Sequence, residues 1–360
     1  MARTPVAVEV WRNCRVESRH RVRVCVADAS GRVALAVGDI AEPVFPRSAV
    51  KPFVALPLVE SGAADAYGVS ESELALACAS HGGEAQHVTL VEAWLARLGL
   101  GETALACGPH APTYPPAAAA LIRAGQSPRR VHNNCSGKHT GMLAVALHRH
   151  QPTQGYEHEH HPVQVDCAAA VAALAGLDRL PAPGIDGCSL PNHPLPLSGL
   201  ARAAANLADS SGLAGSRSAA LTRIGAAMRA QPQLVAGTGR CCTVVMQTLP
   251  GVIAKTGAEG VYIAALQGLG LGVAIKVEDG TTRAAETVLL AMLDRLQPLD
   301  DGARATLAPF IRPTSGRGRI TAATTTGPAS GPRPTSSTPA IRMRANLAPW
   351  RYGRPGCRHS

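Results

Sequence analysis

The sequence predicts an α+β fold in which the two ends of the chain form one antiparallel sheet and a helical subdomain lies between them. Apolar and polar residues alternate over residues 6–11, 21–26 and 33–37, which is the period of a half-buried strand. Short β-rich runs return over residues 251–277, whereas helical periodicity dominates between about residues 50 and 230. The strands at the two ends are therefore expected to pair with each other.

The individual elements follow from local signals. The segments 21–26 and 33–37 are joined by Asp28, Ser30 and Gly31, which predicts an antiparallel hairpin. In the helical part, Ser70 and Glu73 have the spacing of a capping box, which predicts that a helix starts there. The amphipathic pattern of residues 281–296 predicts a closing helix after the last strand.

The folded domain is predicted to span residues 1–311, with its helical subdomain at about 50–230. Residues 312–360 are rich in Arg, Thr, Ser, Pro and Gly and lack hydrophobic periodicity. Such a segment cannot bury enough apolar surface to offset the entropy that it loses on ordering. We therefore expect a basic, low-complexity and disordered tail.

The charge of the chain is concentrated in that tail. The formal net charge of +10 would suit a nucleic-acid or membrane partner if it lay on the folded domain. The tail contains nine arginines and no acidic residue, so the rest of the chain carries about +1 (10 − 9). No nucleic-acid recognition motif accompanies the charge. We expect no nucleic-acid partner.

The cysteines help to predict the cellular compartment of the protein. The first residues lack a basic segment followed by an apolar run, and no stretch of about 18 uncharged apolar residues predicts a membrane span. The ten cysteines are therefore expected in a reducing compartment, as buried thiols, metal ligands or nucleophiles. A cytoplasmic protein without a membrane partner is the prediction.

Lysine is scarce in this chain. Only four of the 35 basic residues are lysine, namely Lys51, Lys138, Lys255 and Lys276. A guanidinium stays protonated near neutral pH, whereas burial or a neighbouring cation can deprotonate an ammonium. The lysines are therefore candidates for proton transfer.

Ser48 and Lys51 form a Ser-x-x-Lys motif. If a helix begins near Ser48, residues three apart lie on one face, and the amine of Lys51 can reach the Ser48 hydroxyl. The helix N-terminus would also favour a developing oxyanion. The alternative is a helix-capping serine beside a solvated lysine.

The segment Lys255-Thr256-Gly257 ends a predicted strand about 200 residues later in the chain. Serine acyl transferases of the penicillin-binding type place a Lys-Thr-Gly strand opposite their Ser-x-x-Lys motif. The order and context of the two motifs favour a catalytic role. The alternative is a surface strand that ends in a glycine turn.

Cys135, Lys138 and His139 lie in one motif, and Cys188 follows later. Two thiolates, an imidazole and an amine could bind zinc. Lysine ligates a metal only when it is neutral, and no Cys-x-x-Cys pair is present. From the residues alone, structural buried cysteines are the alternative.

Two further groups are weaker candidates. Ser80 and His81, followed by Glu84, could supply a second hydroxyl and a proton carrier, or could only cap a helix. The histidine-rich run at residues 158–161 suggests a metal site, but its polar neighbours favour an exposed loop.

Five segments together resemble the Rhizobium-etli-type L-asparaginases of the L-asparaginase II family, from about residue 6 to residue 296. The segments are residues 45–52, 77–81, 132–139, 185–188 and 255–260, which read FPRSAVKP, ACASH, HNNCSGKH, IDGC and KTGAEG. The resemblance implies a serine-β-lactamase-like α+β fold, a homodimer, and hydrolysis of L-asparagine to L-aspartate and ammonia.

The resemblance also implies roles for individual residues. Ser48 with Lys51 and Ser80 with Lys255 match the two catalytic Ser-Lys pairs of the family. The implied zinc ligands are Cys135, Lys138 and Cys188, and the zinc would support substrate affinity more than chemistry. The implied substrate-binding residues are Arg47, His81, Asn134, His139, Asp186, Gly257 and Glu259.

The sequence departs from the family in two places. The family continues past the closing helix into a last strand, whereas this chain enters the basic tail there. Cys241 stands where an aromatic residue is expected. A sheet that lacks its last strand would be less stable, and the enzyme could be inactive.

The leading function hypothesis is L-asparagine amidohydrolysis with Ser48 as nucleophile and Lys51 as base. Ser80 with Lys255 would relay protons or take the nucleophilic role. Two alternatives stay open. One is a glutaminase or another serine amidohydrolase or acyl transferase of the same fold, and the other is a non-catalytic zinc-binding protein.

Overall fold

The computed structural model describes residues 4–12, 15–311, 314–315, 318–319 and 321–323. Most of the predicted tail therefore lies outside the described residues. The strands are β1 (Val6–Arg12), β2 (Arg15–Asp28), β3 (Val33–Val37), β4 (Pro43–Val44), β5 (Gly184–Ile185), β6 (Pro191–Asn192), β7 (Leu195–Pro196), β8 (Val252–Thr256), β9 (Val261–Leu266), β10 (Leu271–Val277), β11 (Thr314–Ser315), β12 (Gly318–Arg319) and β13 (Thr321–Ala323).

The main sheet joins both ends of the chain. Within the described residues it has seven strands, in the order β13, β1, β2, β10, β9 and β8, with β3 also paired to β2. Its pairings are antiparallel, and at its centre Val24 of β2 pairs with Ile275 of β10. The hairpin of β2 and β3 forms as predicted, and the predicted α+β class is confirmed.

Helices fill the middle of the chain and cover the sheet. They are α1 (Lys51–Val54), α2 (Leu56–Glu60), α3 (Ala63–Ala66), α4 (Glu71–Ala77), α5 (Ala85–Arg97), α6 (Pro115–Arg123), α7 (Ser136–His148), α8 (Pro162–Ala175), α9 (Leu197–Ala208), α10 (Gly215–Ala230), α11 (Pro232–Ala236), α12 (Cys241–Thr248), α13 (Thr282–Leu296) and α14 (Asp301–Ile311). The capping box of Ser70 and Glu73 and the closing helix α13 are confirmed.

The segment after β4 is not one regular helix. Residues Arg47–Val50 form a 3₁₀ turn, and α1 and α2 follow as two short helices, each with a proline near its start. Pro52 and Pro57 cannot donate a backbone hydrogen bond, which suits the first turn of a helix. The chain therefore starts a new helix at each proline.

The core lies between the sheet and the helices. Every residue of β8 and β9 is buried, so these strands are covered on both faces. Helix α9 lies so close to β10 that a Cβ at Gly272 would stand 2.1 Å from the carbonyl oxygen of Ala201. Only glycine allows this approach of helix to strand. No described helix is long and apolar enough to cross a membrane.

The end of the folded domain differs from the prediction. We predicted that the domain ends at residue 311 and that the last family strand is missing. Strand β13 (Thr321–Ala323) lies beyond that boundary and pairs with β1, where Val10 faces Ala322. The short strand was missed because the surrounding composition lacks the hydrophobic pattern that marks a strand.

Candidate active site

The main sheet and the helical part meet at Ser48, Lys51, Ser80 and Lys255. Ser48 lies in the 3₁₀ turn and Lys51 begins α1, whereas Ser80 follows α4 and Lys255 is on β8. A Cβ at Gly257 would lie 2.7 Å from the carbonyl oxygen of Pro46. The glycine therefore lets the end of β8 lie directly against the segment that carries Ser48.

The Ser80 hydroxyl lies between two lysine amines. Its Oγ is 3.1 Å from Nζ of Lys51 and 2.7 Å from Nζ of Lys255. Lys51 also donates to the carbonyl oxygens of Ala79 (2.5 Å) and Asn134 (3.3 Å), and Lys255 donates to that of Thr256 (2.9 Å). The three side chains are buried. The pair of Ser80 and Lys255 thus lies within hydrogen-bond distance, as the resemblance implied.

The two amines affect each other. Burial, and then the nearby ammonium of Lys51, lower the pKa of Lys255 from its usual 10.5 to about 7. A substantial fraction of Lys255 is therefore neutral near pH 7, and a neutral amine 2.7 Å from the Ser80 hydroxyl can accept its proton. This is the arrangement that a general base requires.

Ser48 differs from Ser80. Its side chain is half-buried, and its hydroxyl makes no hydrogen bond with the described residues. The described hydrogen bonds of the Lys51 amine go to Ser80 and to two carbonyl oxygens, so its contact with Ser48 stays a prediction. The spacing of three residues correctly places Ser48 and Lys51 in one turn, but it does not determine which acceptor the amine selects.

A second cluster contains Cys135, Lys138 and Cys188, which the sequence separates by about 50 residues. Lys138 donates from Nζ to Sγ of Cys188 over 3.3 Å. A hydrogen bond from Cys188 lowers the pKa of Cys135, and the ammonium groups of Lys138 and Lys51 lower it further. The same hydrogen bond raises the pKa of Cys188, and burial raises it as well. Burial disfavours the charge on Lys138, but Cys135 and Cys188 outweigh it and raise its pKa. Of the two sulfurs, Cys135 is therefore the one on which a negative charge is favoured.

An ion pair lies at the edge of the cleft. Arg47 contacts Oδ1 of Asp186 through Nε at 3.0 Å and Nη2 at 2.8 Å. Although burial opposes it, the hydrogen bond from Arg47 lowers the pKa of Asp186. Both residues line a cleft that Lys51 and Lys138 also line. The cleft thus connects the ion pair to both clusters.

Backbone strain coincides with the predicted motifs. In the described residues, the non-glycine residues with positive φ are Arg47 (52°), His150 (54°), Ser189 (71°) and Glu259 (57°). Three of them adjoin or lie within the motifs of Ser48, Cys188 and Lys255. Such conformations cost free energy and concentrate at functional sites. Their positions support a site at these motifs.

Comparison with known proteins assigns the family. A model of the L-asparaginase II family matches residues 8–325. The chain belongs to the L-asparaginase II family. The matched range includes β13. A comparison with curated proteins found no match.

Solved structures show weaker similarity. Mglu in its native form is 16% identical over 78% of this chain and 66% of that chain, with a TM-score of 0.46. Mglu in its tris and glutamate form is 16% identical, with coverages of 82% and 64% and a TM-score of 0.46. A beta-lactamase from Mycobacterium bovis is 14% identical, with coverages of 77% and 95% and a TM-score of 0.43. The chain thus spans about two thirds of the length of Mglu.

In this member of the L-asparaginase II family, both ring nitrogens of His81 make hydrogen bonds within the protein. Nε2 of His81 lies 2.9 Å from Ser136 Oγ. The Ser136 hydroxyl already donates its proton to the carbonyl oxygen of Val131, so Nε2 is the donor in this contact. Nδ1 of His81 accepts a hydrogen bond from the Gly83 amide. Both ring nitrogens are thus occupied, and the implied substrate contact of His81 stays a prediction. His81 fixes the loop that follows Ser80.

The other implied substrate residues have different surroundings. Asn134 is half-buried, and its Oδ1 lies 3.0 Å from Sγ of Cys135. Glu259 is exposed, and its backbone carbonyl accepts from Lys276 at 2.7 Å. Its carboxylate lies beside Gly280, at the turn that follows β10. No described contact joins the Glu259 side chain to the Ser-Lys cluster.

His139 has a partner that sequence reasoning missed. Its Nδ1 lies 2.5 Å from the hydroxyl of Tyr156, and both side chains are buried. Burial, with the charges of Lys138 and Lys51, lowers the pKa of His139, so the ring is neutral. Tyr156 lies in a polar, histidine-rich loop, and no local pattern predicts its contact with α7.

The resemblance implied that Cys135, Lys138 and Cys188 bind zinc, and their chemistry can be compared with what zinc requires. In the described part of the chain, no three His, Cys, Asp or Glu side chains form a metal-binding group. The two sulfurs fit zinc, whose third ligand would then be Lys138. The amine fits only after it loses its proton, and metal binding can displace that proton. The run of His158, His160 and His161 does not form such a group, and His158 and His160 are exposed.

Proposed function

We propose that this enzyme hydrolyses the side-chain amide of L-asparagine to L-aspartate and ammonia through a serine ester. The observation that supports this most directly is the Ser80 hydroxyl between Lys51 and Lys255, with the pKa of Lys255 at about 7. A neutral buried amine in contact with a hydroxyl suits acyl transfer to serine.

Ser48 is the proposed nucleophile, because it is more exposed than Ser80. Lys51 would first pass its own proton through Ser80 to Lys255. The neutral amine would then turn from Ser80 to Ser48, which lies in the adjoining turn, and take the Ser48 proton. The serine oxygen bonds to the amide carbon, and the C–N bond breaks as the relay returns a proton to the departing nitrogen, which leaves as ammonia. Water then hydrolyses the ester, releases aspartate and restores the serine hydroxyl.

Arg47 and Asp186 would recognise a free amino acid. They pair with each other at the cleft. A zwitterionic substrate offers a carboxylate for the guanidinium and an ammonium for the carboxylate, so it can replace both halves of the pair. This favours a free amino acid over a peptide.

Zinc is part of the proposal. Cys135, Lys138 and Cys188 would hold it, and when bound it would supply a positive charge beside the cleft that supports substrate affinity. The resemblance to the zinc-binding asparaginases also leads us to propose a homodimer, to be tested by light scattering, and a cytoplasmic location, to be tested by cell fractionation.

The decisive assay is ammonia release from L-asparagine by the purified full chain, with L-glutamine and a β-lactam as parallel substrates. We expect asparagine to react fastest. Faster turnover of glutamine would make the enzyme a glutaminase, and stoichiometric zinc binding without ammonia release from either amide would identify a non-catalytic zinc protein.

The nucleophile is identified by trapping the ester. The enzyme is quenched in acid during turnover of an asparagine hydroxamate analogue, and its peptides are analysed by mass spectrometry. We expect the acyl group on the peptide that contains Ser48, and none in Ser48→Ala. An acyl group on the Ser80 peptide would transfer the nucleophilic role to Ser80.

A further inference from the structure

The hydrogen bonds of Tyr156 determine where its hydroxyl proton points. The Ala106 amide donates to the Tyr156 hydroxyl over 2.9 Å, and that hydroxyl lies 2.5 Å from Nδ1 of His139. A phenol has one proton to donate, and His139 is its other partner in the described residues. The proton of Tyr156 therefore points to Nδ1.

This hydrogen bond selects the tautomer of His139. A neutral imidazole carries one proton, and the nitrogen that accepts a hydrogen bond cannot hold it. Because Nδ1 accepts from Tyr156, the proton of His139 is on Nε2. The ring is fully buried.

Nε2 of His139 is a buried donor without a partner in the described residues. Buried donors in native proteins nearly always have an acceptor, supplied by protein, water or ligand. An ionised carboxylate oxygen is the strongest acceptor that an amino-acid ligand offers to this donor. A protonated Nε2 also cannot ligate a metal, which agrees with the proposed ligands Cys135, Lys138 and Cys188.

We infer that Tyr156 is a positioning residue that holds His139 in the Nε2–H tautomer, so that this donor binds a carboxylate oxygen of the ligand. Tyr156 is itself fixed, because its backbone carbonyl accepts from Gln164 at 2.8 Å and its ring meets that of His139 edge to face. The inference deepens the proposed function and rests on it only for the identity of the ligand.

The tautomer is tested without turnover. In the full chain labelled with ¹⁵N-histidine, long-range proton–nitrogen correlations distinguish the two nitrogens of each ring, and His139→Gln identifies the signals of His139. We expect a protonated Nε2 and a hydrogen-bonded, unprotonated Nδ1. Tyr156→Phe should abolish the hydrogen-bond shift at Nδ1. A protonated Nδ1 in the wild-type protein would overturn the inference.

The role in binding is tested by a double-mutant cycle with L-aspartate as the probe, measured by calorimetry. We expect Tyr156→Phe to weaken binding about tenfold, as the loss of one well-placed hydrogen bond predicts. The amide nitrogen of Gln can stand where Nε2 stands and needs no partner at Nδ1. In the His139→Gln background, Tyr156→Phe should therefore change binding less than twofold.

Two outcomes contradict a positioning role. Equal loss of affinity in both backgrounds would mean that Tyr156 only supports the loop of Ala106. Loss of zinc affinity in Tyr156→Phe would mean that the loop collapses onto the metal ligands. If aspartate does not bind the wild-type protein, the proposed substrate is wrong, and the tautomer measurement still decides the inference.

Discussion

Lys255 and Lys138 are buried lysines of one site, 1% and 9% exposed, yet their surroundings act on them in opposite directions. Lys255 faces the ammonium of Lys51, and its pKa falls to about 7. Lys138 faces two thiols, and its pKa rises. Burial disfavours the charge on both, so the sign of the neighbouring charge decides which lysine becomes a base and which stays a cation.

The variant with the largest expected effect tests whether Lys255 acts as a base. Lys255→Arg keeps a positive charge but cannot deprotonate near neutral pH, so we expect ammonia release from asparagine to fall about 1,000-fold. Lys276→Arg, a matched change at a lysine outside the cluster, should retain activity. Substantial turnover by Lys255→Arg would show that Lys255 acts through its charge alone.

The same lysine should destabilise the fold. The unfolded chain holds the Lys255 proton up to its usual pKa of 10.5, whereas the folded chain releases it above about 7. Burying Lys255 therefore lowers the free energy of unfolding by its full amount below pH 7, and this loss shrinks as the pH rises towards 10.5. We expect Lys255→Met to raise the free energy of unfolding by about 2–5 kcal/mol at about pH 6, and by less at about pH 9. Denaturant titrations at both pH values check this. An equal difference at the two values would contradict the lowered pKa.

The thiol cluster is tested through zinc. Cys188→Ser should lower zinc affinity by about 10- to 100-fold, because a hydroxyl is a much weaker zinc ligand than a thiolate. Cys167→Ser, at a buried thiol on α8 that contacts the carbonyl oxygen of Val54, serves as the control. Competition with a chromogenic chelator gives both affinities. Unchanged affinity in Cys188→Ser would remove the cluster from the zinc proposal.

The smallest effect concerns the coupling of the two amines. Lys51→Met removes the cation beside Lys255, so the pKa of Lys255 should rise by about one pH unit from its value of about 7. The pH dependence of its acylation by an amine reagent, followed by mass spectrometry, measures this without turnover. Lys276→Met should leave the midpoint in place. If the midpoint does not move in Lys51→Met, the charge of Lys51 does not contribute to the lowered pKa of Lys255.

The sequence predicted the sheet better than the side-chain contacts. Alternation in the segments around Val24 and Ile275 was enough to predict strands, because burial imposes that pattern locally. The partner of Lys51 was not predictable from spacing, since Ala79, Ser80 and Asn134 come from segments that meet it only in the folded chain. The motifs identified which residues gather, and the tertiary structure determined which atoms touch.

Two side-chain contacts could not be predicted, for the same reason. His81 and Tyr156 lie in segments whose local pattern shows polarity but not direction. The ring of His81 turns inward to Ser136, whereas Tyr156 reaches from its loop to His139 on α7. A resemblance carries residue types from one chain to another, but a hydrogen-bond direction depends on every donor and acceptor nearby.

The sheet order has a consequence for synthesis on the ribosome. Strand β2 emerges early, but its neighbour β10 is made about 250 residues later. Until then, one long edge of β2 offers unpaired amide and carbonyl groups to other nascent chains. Contacts of such high sequence separation also form slowly. Aggregation during expression should therefore depend on translation speed between these strands, and a chaperone that covers the early hairpin should raise the yield of active enzyme.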